Sequence, residues 1–129
     1  MPGIVVTPGL RGPWKALSLG TKVKAVVEAS GKHFEEPGVC LVEGGAGCEL
    51  RGVLEVTTEV KTSAEEIFKL PEAIFFPKRD RMFGLGVANS SLTNHVGALM
   101  LAPTGIMTDD ETPVPTGVWY LLDGLTYGL

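Results

Sequence analysis

The residues able to carry chemistry are few and lie far apart. His33 and His95 are the only histidines, and neither has the neighbours or spacing of a zinc site. His33 adjoins Glu35 and Glu36, and His95 follows Asn94 in a polar stretch, so both read as ordinary surface or turn residues. Asp109, Asp110 and Glu111 group three carboxylates, and hard oxygen ligands of that kind suit calcium. They lack the internal glycine and distant glutamate of a calcium loop, and a solvated loop is the expected reading. Ser90 and Ser91 have no nucleophile-elbow context. Gly84-Leu85-Gly86-Val87-Ala88 is not a dinucleotide fingerprint, has no amphipathic helix after it, and fits backbone crowding or twist within a sheet. No catalytic, cofactor-binding or metal-ligating residue is nominated. The chain is expected not to be an enzyme and to use no cofactor.

Cys40 and Cys48 flank Glu43-Gly44-Gly45-Ala46-Gly47. They can face each other across a hairpin as a disulfide, or remain two buried thiols in a reducing compartment. The second reading is preferred, because free cysteine behaves as a small buried hydrophobe.

The elements that must hold these residues belong to one domain. The chain has 129 residues, 44% of them hydrophobic and 20% charged. A fold of this length buries roughly two thirds of the surface its unfolded chain exposes, enough for a core without staples. Seventeen Gly and nine Pro are spread along it. That many turn residues implies many short strands. The net charge is -4, and basic residues are mixed with acids, as in Lys78-Arg79-Asp80-Arg81. No basic stripe is available to neutralise phosphates, so nucleic acid is not an expected partner. Apolar runs fall short of the ~20 residues that span a bilayer, and the amino-terminal residues do not resemble a signal peptide.

Residues 1–20 read as an arm or edge element, with Ile4-Val5-Val6, the turns at Pro8-Gly9 and Gly12-Pro13, and Trp14 as an anchor. Residues 21–129 read as a single β-domain. Residues 21–28 place Val23, Ala25 and Val27 on one side, and residues 38–42 give another apolar strand. The clearest strand covers residues 48–60. Cys48, Leu50, Gly52, Leu54, Val56, Thr58 and Val60 alternate there with Glu49, Arg51, Glu55 and Glu59, interrupted only by Val53. That two-residue period belongs to a sheet with one face on a core. Its polar face either keeps the sheet solvated or lines a subunit contact. Thr62 with Glu65, or Ser63 with Glu66, fits a capping box, but Ile67-Phe68-Lys69-Leu70 also reads as a strand, which its neighbours favour.

Strands are also expected over 82–88, 96–101 and 105–108, with a polar turn at Asn89-Ser90-Ser91 and a surface loop over 109–115. A tight turn at Asp123-Gly124 separates Val118-Trp119-Tyr120-Leu121-Leu122 from Leu125-Thr126-Tyr127. Phe68, Phe75, Phe76 and Phe83 read as core rather than as a base-stacking platform. The sum is an all-β fold of two antiparallel sheets packed as a sandwich.

The order of segments resembles a known family. Trp14-Lys15-Ala16-Leu17-Ser18-Leu19 is followed by Gly47-Cys48-Glu49-Leu50-Arg51-Gly52-Val53-Leu54, then by Phe68-Lys69-Leu70-Pro71 and Pro77. Trp119-Tyr120-Leu121-Leu122-Asp123-Gly124-Leu125-Thr126-Tyr127 comes last. This series resembles the carboxy-terminal β-sandwich domain of tail and fibre proteins of tailed bacteriophages. It departs at Phe76-Pro77, where the family usually has Arg-Pro, and at Tyr120-Leu121, where it has Val-Ser. The family domain usually ends a much longer protein, whereas here the resemblance covers nearly the whole chain.

The resemblance implies a jelly-roll-like sandwich, a homotrimer and a place in the virion, after synthesis in the cytoplasm of the bacterial host. It implies a tail or fibre component, with other virion proteins and a host-surface glycan as partners. A capsid decoration or head-fibre subunit is an alternative, and a stand-alone carbohydrate-binding module is another. For an adhesin, Tyr120 or Tyr127 is the candidate for stacking on sugar, although burial suits both better. A polysaccharide hydrolase would need two carboxylates roughly 5 to 10 Å apart, and no pair is singled out.

Overall fold

The computed structural model describes residues 11–88 and 94–129, and only the backbone of residues 85–88 and 94–97. Ile4-Val5-Val6, Pro8-Gly9 and the turn Asn89-Ser90-Ser91 lie outside the described residues. The strands are β1 (Lys15–Ala16), β2 (Ser18–Leu19), β3 (Val23–Ala25), β4 (Glu28–Ala29), β5 (Lys32–His33), β6 (Gly38–Val42) and β7 (Gly47–Arg51). They continue with β8 (Val53–Val56), β9 (Phe68–Lys69), β10 (Arg81–Ala88), β11 (Asn94–Leu101), β12 (Ile106–Asp109), β13 (Trp119–Leu121) and β14 (Thr126–Gly128). Single 3-10 turns occupy Glu43–Gly45 and Ala73–Phe75. Among the described residues no helix is long and apolar enough to cross a membrane.

Every ladder is antiparallel, and the fold is all-β. The expected two-sheet, jelly-roll-like sandwich is not what forms. The strands are organised as four separate sheets, ordered β1-β6-β7-β14, β10-β11-β12-β9-β2, β13-β8-β3 and β4-β5.

The reason is visible at Gly52, where the strand expected over 48–60 is cut. Its φ of +111° is open to glycine but strained for other residues, and a side chain there would meet Pro37 Cα at 2.6 Å. Its amide leaves the ladder and donates to Asp123 Oδ1 at 2.7 Å. On one side of this break β7 pairs with β6 and β14, and on the other β8 pairs with β3 and β13. Most other strands have two to five residues before a turn, so the chain changes partner before two continuous sheets can build. Of residues 57–60, which complete the expected strand, Val60 alone pairs again, in an isolated bridge with Val114.

The alternation itself correctly marks the buried side. Cys48, Leu50, Leu54, Val56 and Val60 are all buried, while Thr58 is exposed. They join Phe68, Leu70, Leu99, Leu101, Met107 and Tyr120 in a single core, with Phe76 and Phe83 packed against its margin. Burying each large apolar side chain contributes about 1.5–3 kcal/mol.

The capping-box alternative does not open a helix: residues 62–65 turn, with the Glu65 carboxylate accepting from the Lys61 amide at 2.8 Å, and the strand favoured over 67–70 forms at β9. Two local expectations change. The strand begun at Val23 ends at Ala25, so Val26 is buried and Val27 is exposed. His95 lies in β11, opposite Val87, rather than in a turn.

The arm forms an edge of two sheets. β1 pairs with β6 and β2 with β9, and the buried Leu17 sits between them.

Candidate functional site: a cleft beside Arg81

A cleft of about 520 Å³ opens where the start of β10 meets β14, with the turn Glu43–Gly45 at its rim. Glu43, Asp80, Arg81, Phe83, Thr126 and Tyr127 line it. Arg81 is half-buried. Its Nη2 donates to the carbonyl of Gly128 at 3.1 Å, and its Nε is buried without a hydrogen-bond partner. The first contact fixes the guanidinium plane, and the second leaves a donor unsatisfied. Tyr127 is held from below, its hydroxyl donating to the Phe75 carbonyl at 2.7 Å and its ring meeting Phe83 edge-on at 6.3 Å. Burial, and then Cys48, push the Tyr127 phenol above its ordinary range. Burial likewise pushes up the Cys48 thiol.

The cleft sets a cationic donor and a hydroxyl beside two carboxylates over an aromatic edge, so its lining offers both hydrogen-bond donors and acceptors.

The carboxylate cluster behaves differently from a solvated loop. Asp110 and Glu111 are exposed, but Asp109 is fully buried. Its Oδ2 accepts from the Tyr120 hydroxyl at 2.7 Å and its Oδ1 from the Glu111 amide at 2.8 Å. Its oxygens are thus committed to holding the end of β12 against β13. Among the described residues no three His, Cys, Asp or Glu side chains gather for a metal.

Tyr120 and Tyr127 are both buried, so neither presents a ring face for stacking. Trp119 is half-buried instead, its indole donating to Glu55 Oε1 at 3.1 Å and its ring edge-on to Phe34 at 6.1 Å. His33 is exposed in β5, and Ser90 and Ser91 lie outside the described residues.

Cys40 and Cys48 are both buried and free. Cys40 is paired with Glu49 and Leu41 with Cys48, so the two thiols leave opposite faces of the β6–β7 ladder. Direct partners across a ladder share a face, and a bond between them would need a register slip. The Cys40 thiol is also pushed up, chiefly by burial.

No family model, no curated protein and no solved structure matches the chain.

Sequence reasoning missed the cleft. Arg81 and Gly128 are 47 positions apart, and the mixed cluster around Arg81 gave no local sign of what would pack beside it. The polar face of β7 and β8 was legible, but its partners were not. Glu49 receives Arg11 Nε at 3.0 Å, and Arg51 lies over the Trp14 ring at 4.3 Å, so the arm covers much of this face.

Proposed function

We propose that this chain is a non-enzymatic structural subunit of a bacteriophage virion, a tail or fibre component that works as a homotrimer. One observation carries the reading: the dispersed segments that resemble the tail-protein domain are neighbours in space. Trp14 of the first lies against Arg51 of the second. The last segment runs antiparallel to the second, Tyr120 opposite Leu54 and Tyr127 opposite Cys48, with Asp123 bonded to the Gly52 amide between them. Phe68 and Leu70 of the third are in the same core. Segments that resemble a family in order and also build one core support a shared structural unit, although sites must be argued separately from folds. Mass spectrometry of phage particles induced from the encoding bacterium tests the proposal. The chain is expected as a stoichiometric particle component, and its absence from purified particles overturns the reading. Recovery with tail-less heads alone would favour capsid decoration over a tail position.

The cleft beside Arg81 favours a second role, contact with a host-surface glycan. Its mixed donors and acceptors over Phe83 and Tyr127 fit a sugar better than an apolar ligand. A glycan array with the intact chain is expected to give a signal that Arg81→Ala abolishes. Silence across the array removes this role and leaves the structural one in place.

A further inference from the structure

Residues 82–108 contain no Asp, Glu, Lys or Arg, in a chain where one residue in five is charged. The stretch encodes most of β10, all of β11 and the start of β12. β10 and β11 pair along their full length, from Arg81 opposite Leu101 to Ala88 opposite Asn94. β12 pairs with β11 only from Leu99 to Leu101. The hairpin therefore extends past its neighbouring strand as a two-stranded ribbon, with no third strand along Asn94, His95, Val96 and Gly97 among the described residues.

The broad face of the ribbon is also open at its base. Met82 is 56% exposed, and Gly84 is exposed with nothing within 4 Å of where a side chain would begin. Opposite them stand Met100 and Ala98, both half-buried, while Leu99 is turned into the core. Two-stranded ribbons are marginal in water by themselves. Proteins usually guard such edges with charge or proline, and from Met82 through β10 and along β11 there is neither.

We propose that this ribbon is an assembly arm that docks against the same ribbon of a second copy of the chain. The inference rests on the reading that the chain works in copies of itself. Charge selects the occupant. The net charge of -4 is carried entirely outside residues 82–108, so this ribbon is a place where two copies of an acidic chain can meet without their excess charge facing each other. A ribbon meeting its twin brings no like charges together. A foreign partner chosen by electrostatic complementarity would find nothing here to read. Gly84 and Ala98 keep the face low enough for close approach.

Light scattering and hydrogen exchange on the intact chain test the proposal. The mass is expected to exceed the 13.7 kDa of one chain, with the amides of 94–97 becoming protected as concentration rises. Gly84→Lys, at a site with room for the side chain, is expected to weaken association about tenfold or more through like-charge contact. Thr116→Lys, in an exposed turn outside residues 82–108, should leave it unchanged. A single-chain mass at all concentrations overturns the proposal, as does an assembly that tolerates Gly84→Lys with the ribbon amides still unprotected. If Gly84→Lys does not fold, the exchange pattern of the unaltered chain decides. A chain that assembles through the ribbon yet is missing from phage particles keeps this inference and loses the virion reading.

Discussion

The hydroxyl of Tyr120 meets the carboxylate of Asp109 at 2.7 Å in a fully buried pair, and Tyr127 caps the carbonyl of Phe75 in the same interior. Burial raises both phenols above their ordinary value of 10.0, with the hydrogen bond to Asp109 adding to the effect for Tyr120. A tyrosine in the unfolded chain ionises near 10, while its folded counterpart keeps its proton. The stabilisation is complete below that pH and is lost as pH rises beyond it, by about 1.4 kcal/mol per pH unit for each tyrosine. Urea midpoints measured from about pH 8 to about pH 11 should therefore fall, first with the two buried thiols and more steeply past about pH 10 as the tyrosines add their share. Tyr120→Phe should shed one tyrosine's share of that fall. It should also cost about 1–3 kcal/mol at pH 8, because a buried carboxylate oxygen loses its donor. An unchanged alkaline slope in the variant would remove Tyr120 from this account. Nothing in Asp109-Asp110-Glu111 distinguished its first carboxylate from the other two. The distinction comes from Tyr120, which reaches Asp109 only after β13 has folded back along β8.

Gly52 plays the corresponding part for the elements. Gly52→Ala is expected to destabilise the fold by about 2 kcal/mol or more, through a left-handed backbone and collision with Pro37. Gly31→Ala, at φ +78° but with open space around it, should cost only about 1–2 kcal/mol. Equal losses in chemical denaturation would mean that the Pro37 contact adds nothing. The same residue explains how much of the fold could be read in advance. Two-residue periodicity identifies the buried side of residues 48–60 because side-chain direction is local. It does not identify the ladder, because a glycine fits the interior of a strand pattern as well as it fits a break. Asp123, which takes the Gly52 amide, is 71 positions away. The tight turn at Asp123-Gly124 was legible as a turn, but its role in dividing two sheets was not. The cleft was hidden for the same reason, since it depends on β14 arriving beside Arg81.

Across the whole molecule, the two thiols report on cooperativity. Cys40 and Cys48 lie on opposite faces of one ladder and are both buried, with raised thiol pKa values. Both should resist a thiol reagent in the native state and both should react in denaturant without reductant, since the thiolate is the reactive form. Fewer than two thiols in denaturant would contradict the register of β6 and β7. Equal rates in the folded protein would indicate that both faces open together. The arm bears on the same unity from another direction. Lys15 and Ala16 are stitched to the β1-β6-β7-β14 sheet, Ser18 and Leu19 to the five-stranded sheet, and Leu17 is sunk between them. In mechanical terms this stretch is a seam. Tension entering at Arg11 reaches two sheets within a few residues, so a pull from that side loads the body of the domain instead of peeling away one strand.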